Sequence, residues 1–299
     1  MKTERIGFVG VGLMGRGMAA NILKSGYPLS VIAHRNRDPV AALVAAGAQE
    51  AAGLAELAAA SDVVFICAPG SPQVEAIVRD MAQHLARGSV IVDCSTADPT
   101  STVTLAAELA AGGIALADAP LGGTPAQAEE GKLSAMVGAD DAVFARIRPI
   151  IDTWAATVVH LGAVGLGHKM KLLNNFLSLG YGAIYAEALA VARNSGVTAE
   201  QFDSVIRGSR MDCGFYQTFM GHVIDGNRES HKFTLNNALK DATYLELMAQ
   251  ASGTANPIGN AIKNSYLQAV NGGADGPEDY VPHMTDHVAR MNGISGKYS

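Results

Sequence analysis

Cysteine is scarce: Cys67, Cys94 and Cys213 are the only three in 299 residues, far apart and without a CxxC pair. That excludes a disulfide scaffold and fits reduced thiols in a cytoplasm, with Cys67 and Cys94 expected as buried strand residues. The histidines lack HExxH-type spacing, so no metal site is expected, and His168 is expected to be loop-facing. Positive charge is in deficit: the net charge is −6 and no Lys/Arg cluster exists. A surface that tracks nucleic-acid phosphates is thereby excluded. Uncharged apolar runs never reach the length of a membrane span. The opening Met-Lys-Thr-Glu-Arg has no apolar signal core with a small-residue cleavage site. The expectation is a cytoplasmic protein with neither nucleic-acid nor membrane partner. What is present, 48% hydrophobic and 17% charged residues, is ordinary globular composition with room for two cores.

The first informative pattern is the apolar run Ile6-Gly-Phe-Val9 followed at once by Gly10-Val-Gly12-Leu13-Met14-Gly15 and a helical stretch from Arg16 to Ser25. GxGxxG means little in a chain with 33 glycines; between a strand and a helix it acquires a mechanism. Gly10 allows a tight turn, Gly12 lets a pyrophosphate approach the backbone, and Gly15 lets helix pack on strand. The phosphates then sit on free N–H groups at the positive end of the helix dipole. A second strand, 29–33, ends in Ala33-His34-Arg35-Asn36-Arg37. An NAD site usually places a carboxylate here for the ribose 2′-hydroxyl. None occurs before Asp38, and the two guanidinium groups suit a 2′-phosphate through forked, charge-assisted bonds. NADP(H) is therefore the expected cofactor, with NAD(H) as the other option.

Strands at 63–67, 90–93, 114–118, 133–137 and near 157–160 alternate with helices at 71–86, 99–111 and 140–152. This predicts a Rossmann-type α/β domain over 1–163, a doubly wound and mostly parallel sheet. Ligands bind beyond the carboxyl ends of such strands, which singles out loops 10–15, 33–37, 68–72, 94–98 and 119–125. Ala68 and Pro69 lie in one of them. Ser95 and Thr96 place two hydroxyls after a strand, to hold the nicotinamide side of a cofactor or an acid substrate; a Ser/Thr turn explains them equally. Gly122 and Gly123 can expose N–H groups to an anion, and Thr124 can cap the turn containing Gln127.

From about Ala163 the strand signals stop, and 164–299 reads as an all-α domain. A long helix over about 166–195 joins it to the first. Helices follow at about 198–207, 214–225, 234–252 and 255–271, then a short helical tail and a polar end that frays. In the long helix Lys171, Asn174, Asn175 and Ser178 form a polar stripe among Leu, Ala, Met, Ile and Tyr. Lys169 points away, with Leu172 and Leu173. A solvated face is the ordinary explanation of such a stripe; the cofactor loops upstream give it another.

Five segments, read in order, resemble the β-hydroxyacid dehydrogenases, which include 3-hydroxyisobutyrate dehydrogenase, tartronate semialdehyde reductase and succinic semialdehyde reductases. They are GFVGVGLMGRGMAANILKSG, DCSTADPTS, DAPLGGTPAQAEEGKLSAMVG, GLGHKMKLLNN and HKFTLNNALKDATYLELMAQ. The resemblance covers most of the chain. It implies that Lys171 is the catalytic lysine with Asn175 beside it, that Thr96, Lys240 and Phe233 meet the cofactor, and that Ser95 and the Gly122–Thr124 loop hold the acid of a small-molecule substrate. Asn174 would stabilise a helix–sheet contact or face the substrate. Lys240-Asp241, taken alone, reads as a solvated helical pair. It also implies a homodimer or homotetramer. Where many members read Asp-Ala-Pro-Val-Ser-Gly-Gly, this chain has Gly122-Gly123-Thr124, so the anion pocket is reshaped. No arginine stands at Gly123 to favour a sulfonate. The other readings are an NADP-binding redox sensor without turnover and an imine reductase on the same scaffold.

Overall fold

The computed structural model describes residues 3–294, so the polar end at 295–299 lies outside the described residues. Two compact units divide at Lys171 and Leu172; the sequence places the boundary at 163/164, where the strand signals stop. The first unit runs β1 (Ile6–Val9), α1 (Gly15–Lys24), β2 (Leu29–Val31), α2 (Asp38–Ala45), β3 (Gln49–Glu50), α3 (Leu54–Ala59), β4 (Val63–Ile66), α4 (Ser71–Ala82), β5 (Val90–Asp93), α5 (Pro99–Ala110), β6 (Ala115–Asp118), β7 (Leu121–Gly122), α6 (Pro125–Glu129), β8 (Leu133–Gly138), α7 (Asp141–Ile151) and β9 (Ala155–Gly162). The strand order is β3-β2-β1-β4-β5-β6-β8-β7, with β9 on β8. Pairing is parallel from β3 through β6, and β8 runs antiparallel to β6 and β7.

Strands β1, β4 and β5 are buried at every residue because both faces of the sheet are covered, and only Asp93, at the end of β5, is charged. Phe8, Phe65 and Val92 enter one core with Met18 and Ile22 of α1 and Ile147, Ile150 and Ile151 of α7. Alternate residues Val64, Ile66 and Ile91 enter a second core with Val74, Val78 and Met81 of α4 and Leu105 and Leu109 of α5. Each such side chain contributes roughly 1.5–3 kcal/mol on burial, so strand register is fixed from both faces.

The segment holding α2, β3 and α3 has no counterpart among the expected elements. Its strand is two exposed residues long, too short for an apolar pattern. Cys67 and Cys94 each fall one residue past a strand rather than within it, and Cys67 is only half-buried. Burial raises the Cys94 thiol well above its ordinary pKa, which keeps it inert.

The second unit continues α8 (Leu166–Asn194) into α9 (Ala199–Ile206), α10 (Gly214–Asp225), α11 (Leu235–Ala251), α12 (Pro257–Asn271), a 3₁₀ turn (Val281–His283) and α13 (Met284–Met291). Thr198 forms the expected cap, reciprocated by Gln201 in a capping box. Leu179, Ala183, Ala186 and Leu189 of α8 pack on Tyr216 and Phe219 of α10, Leu235 and Ala238 of α11, and Ile262 and Tyr266 of α12. The Tyr266 hydroxyl, fully buried, donates to the Leu179 carbonyl at 3.0 Å. No described helix is long and apolar enough to cross a membrane.

Candidate active site

The strand order reverses between β1 and β4, the switch point where a doubly wound sheet opens a crevice for ligands. The glycine turn sits there. Gly10 has φ +98°, and a Cβ on it would lie 2.1 Å from the Cys67 carbonyl oxygen. A Cβ at Gly15 would lie 2.0 Å from the Gly10 carbonyl oxygen, whereas one at Gly12 would meet nothing within 4 Å. Two glycines are thus fixed by close approach, and the middle one leaves open space over the backbone. Helix α1 begins at Gly15 with no side-chain cap and no acidic residue in its first turn. Nothing competes with an anion for its amides. Met14 is half-buried, and Leu13, 60% exposed, stands beside the turn. This cradle fits a dinucleotide pyrophosphate.

Beyond β2, His34, Arg35, Asn36 and Arg37 are all exposed. They differ in commitment. Asn36 accepts the Asp38 N–H at 3.0 Å, and Arg37 pairs with Glu50 of β3 at 2.7 Å. Arg35 makes no ion pair among the described residues. A guanidinium in this position suits a phosphate on the adenosine ribose.

The ends of β4, β5 and β6 are knitted together from within. Ser95 accepts the Ala68 N–H at 2.9 Å, and its own N–H donates to Asp93 Oδ1 at 2.9 Å. Its hydroxyl is therefore engaged with the loop that carries Ala68 and the exposed Pro69, while the neighbouring Thr96 is half-buried. Asp93 and Asp118 are register partners on β5 and β6, and both are buried. The Asp118 carboxylate accepts the backbone N–H groups of Gly165 (2.5 Å) and His168 (2.6 Å) at the start of α8. Burial raises the Asp118 carboxyl above the usual carboxylate range, with His168 and the two N–H groups pulling against that rise. His168 is 0% exposed, and its ring turns towards the loop that follows β5, where Nε2 lies 3.1 Å from the Ser95 carbonyl oxygen. The residue lies in the first turn of α8, not in the preceding loop, and its ring is packed inward.

Thr124 caps α6 in a capping box with Gln127, as expected; its hydroxyl accepts the Gln127 N–H at 3.3 Å. The hydroxyl missing at Gly122 has a counterpart that the sequence did not suggest. Ser134 on β8 pairs with Gly122, its hydroxyl donating to the Gly122 carbonyl at 3.3 Å, and a Cβ at Gly122 would lie 2.4 Å from that oxygen. Ser134 therefore fills the space a side chain at Gly122 would need. Gly123 has φ +127° and is exposed beside it.

On α8, Lys171 is half-buried and Lys169 exposed. One turn past Lys171, Asn175 is buried, and its amide donates to Asp241 Oδ2 at 2.7 Å. Lys240 Nζ lies 3.1 Å from Asp241 Oδ1. Asp241 is 2% exposed, so Lys240-Asp241 is not a solvated pair. Asp241 shares the buried face of α11 with Leu235, Ala238, Ala242 and Leu245; a carboxylate on that apolar stripe was the available signal. Asn174 is exposed, and its described hydrogen bond is a long one to Asn175. Phe233 is half-buried against the helical core. Among the described residues no group of His, Cys, Asp and Glu could hold a metal ion.

A doubly wound sheet with a phosphate turn at its switch point, followed by an all-helical unit, defines a nicotinamide-dinucleotide oxidoreductase scaffold. Comparison with known proteins agrees. Residues 5–162 match the NAD-binding domain of 6-phosphogluconate dehydrogenase, and residues 165–282 match the NAD-binding domain of NADP-dependent 3-hydroxyisobutyrate dehydrogenase. The chain is 38% identical to 2-(hydroxymethyl)glutarate dehydrogenase of Eubacterium barkeri over 69% of each chain. It is 32% identical to the NAD-dependent L-serine dehydrogenase of Pseudomonas aeruginosa over 88% of this chain and 91% of that one. The solved 3-hydroxyisobutyrate dehydrogenase of Mycobacterium tuberculosis with L-serine superposes with a TM-score of 0.84 at 25% identity, covering 94% of this chain and 99% of that one. The chain belongs to the 3-hydroxyisobutyrate dehydrogenase family of NAD(P)-dependent hydroxyacid dehydrogenases.

Proposed function

We propose that this protein interconverts a small β-hydroxy acid and its semialdehyde, preferring NADP(H), with Lys171 as general acid and base. The observation that carries the reading is the placement of Lys171. It is a half-buried lysine one turn into a helix whose first residues are anchored on Asp118 at the carboxyl end of β6. When bound, the nicotinamide supplies a hydride to the substrate carbon or takes one from it. In reduction Lys171 holds the carbonyl oxygen and delivers its proton; in oxidation it takes the hydroxyl proton back. Asn175, held by Asp241, orients the amine or the substrate. Gly122 and Gly123, with the hydroxyls of Thr124, Ser95 and the neighbouring Thr96, receive the acid group and the nicotinamide side.

The NADP(H) preference rests on Arg35 and on the lack of a carboxylate between β2 and Asp38. The L-serine relative carries NAD in its name, so cofactor choice is a property of this chain's own strand end. A homodimer or homotetramer is supported by α8. Leu173, Leu177, Tyr181, Ile184 and Val191 recur at three-, four- and seven-residue steps and are all exposed.

A spectrophotometric screen of small aldehyde acids with NADPH and NADH in parallel tests the reading. Turnover of a semialdehyde, with higher kcat/KM for NADPH, is the expected result. Preference for NADH overturns the role given to Arg35, and tight NADPH binding without turnover of any acid-aldehyde replaces the enzyme with a redox sensor.

A further inference from the structure

We infer that His168 is a positioning residue for the reaction: its buried ring locks the first turn of α8, and with it Lys171, to the loop that follows β5. This rests on the reading of Lys171 as the acid/base. The ring is hydrogen-bonded at both nitrogens. Nε2 lies 3.1 Å from the Ser95 carbonyl oxygen, which can only accept, so Nε2 carries a proton. Nδ1 lies 2.8 Å from the Thr102 hydroxyl of α5. Carboxylate oxygens of Asp93 and Asp118 flank the two nitrogens, each at 3.8 Å.

A fully buried imidazole beside two buried carboxylates is an expensive arrangement, and an apolar side chain would fill the space without that cost. What the ring adds is a lateral tie. Asp118 alone holds α8 by its backbone end, at Gly165 and His168 N–H. The helix start is pressed on β8 as well, for a Cβ at Gly167 would lie 2.3 Å from the Met136 carbonyl oxygen. Those contacts fix where the helix begins. The side-chain bonds of His168 to Ser95 and Thr102 fix how its first turn is rotated towards the loop bearing Thr96. Lys171 is three residues on, over the same face. Without the ring, the helix start keeps its cap and loses its rotational anchor. A displacement of the amine by about 1 Å costs about 10²-fold in rate.

The test compares His168→Leu, His168→Gln and Thr102→Val in the full chain, measuring kcat, KM for the acid-aldehyde, NADPH dissociation constant and thermal unfolding. His168→Leu is expected to lose about 10²-fold in kcat while NADPH affinity stays near wild type. His168→Gln should recover most of the loss, because its carboxamide N–H can reach the Ser95 carbonyl and its oxygen can accept from Thr102. Thr102→Val, which removes one partner and keeps the shape, should lose kcat to a smaller extent, and it decides the matter if His168→Leu does not fold. In a Lys171→Ala background, His168→Leu should add little, since the group it positions is gone. The inference is overturned if His168→Leu and Thr102→Val turn over like wild type, if leucine and glutamine are equivalent, or if the losses at positions 168 and 171 simply add. A fully active Lys171→Ala would instead identify the acid/base reading as the failure.

Discussion

Lys171→Ala is expected to lower kcat by about 10²- to 10⁴-fold, the range that a positioned general acid contributes, while NADPH binding, followed by fluorescence titration, stays close to wild type. The argument is one of position along a helix. Lys169 and Lys171 are two residues apart and point in different directions. Lys169 is exposed, whereas Lys171 is half-buried in the turn that follows the Asp118 cap. Lys169→Ala should therefore leave kcat near wild type. Equal losses in the two variants would mean that a general positive field, not a placed amine, assists the reaction. Loss of NADPH binding in Lys171→Ala would make this lysine a cofactor ligand instead.

Reversing the charge of Arg35 is expected to have the second-largest effect, on cofactor choice rather than on rate. A hydrogen bond to a charged group contributes roughly 1.5–3 kcal/mol, so Arg35→Glu should reduce the ratio of kcat/KM for NADPH over NADH by about 10- to 100-fold. Added repulsion against a 2′-phosphate acts in the same direction. Arg37→Ala should shift the ratio less, because Arg37 already pairs with Glu50, an exposed ion pair worth about 0–1 kcal/mol. If Arg37 dominates the ratio, the ion pair with Glu50 opens when cofactor binds and the roles of the two arginines are exchanged.

Features legible in the sequence are those decided by neighbours. The turn at Gly10, Gly12 and Gly15, the caps at Thr124 and Thr198, and the buried runs of β1, β4 and β5 are local chemistry, and each appears where its pattern predicts. What the pattern misses depends on partners far along the chain. His168 is buried because Ser95 and Thr102 satisfy its ring from 73 and 66 residues away. Asp241 is buried because Asn175, 66 residues earlier, donates to it. The apolar stripe of α11 signals that Asp241 is buried but does not name its partner, and nothing adjacent to His168 announces its pairing. Ser134 is a third case: its bearing on Gly122 follows from antiparallel register across β7 and β8, which the short β7 hides. The segment α2–β3–α3 is hard to read for a different reason, since its two-residue strand is exposed and offers no apolar period.

The most direct measurement is the fate of the label when NADPH deuterated at C4 of its nicotinamide is mixed with the protein and a small aldehyde acid, and the product is read by mass spectrometry. A single deuterium on the carbon that bears the new hydroxyl, formed at similar rates by wild type and Lys169→Ala and about 10²- to 10⁴-fold more slowly by Lys171→Ala, is the predicted result. NADPH held tightly with no deuterium in any product would contradict it.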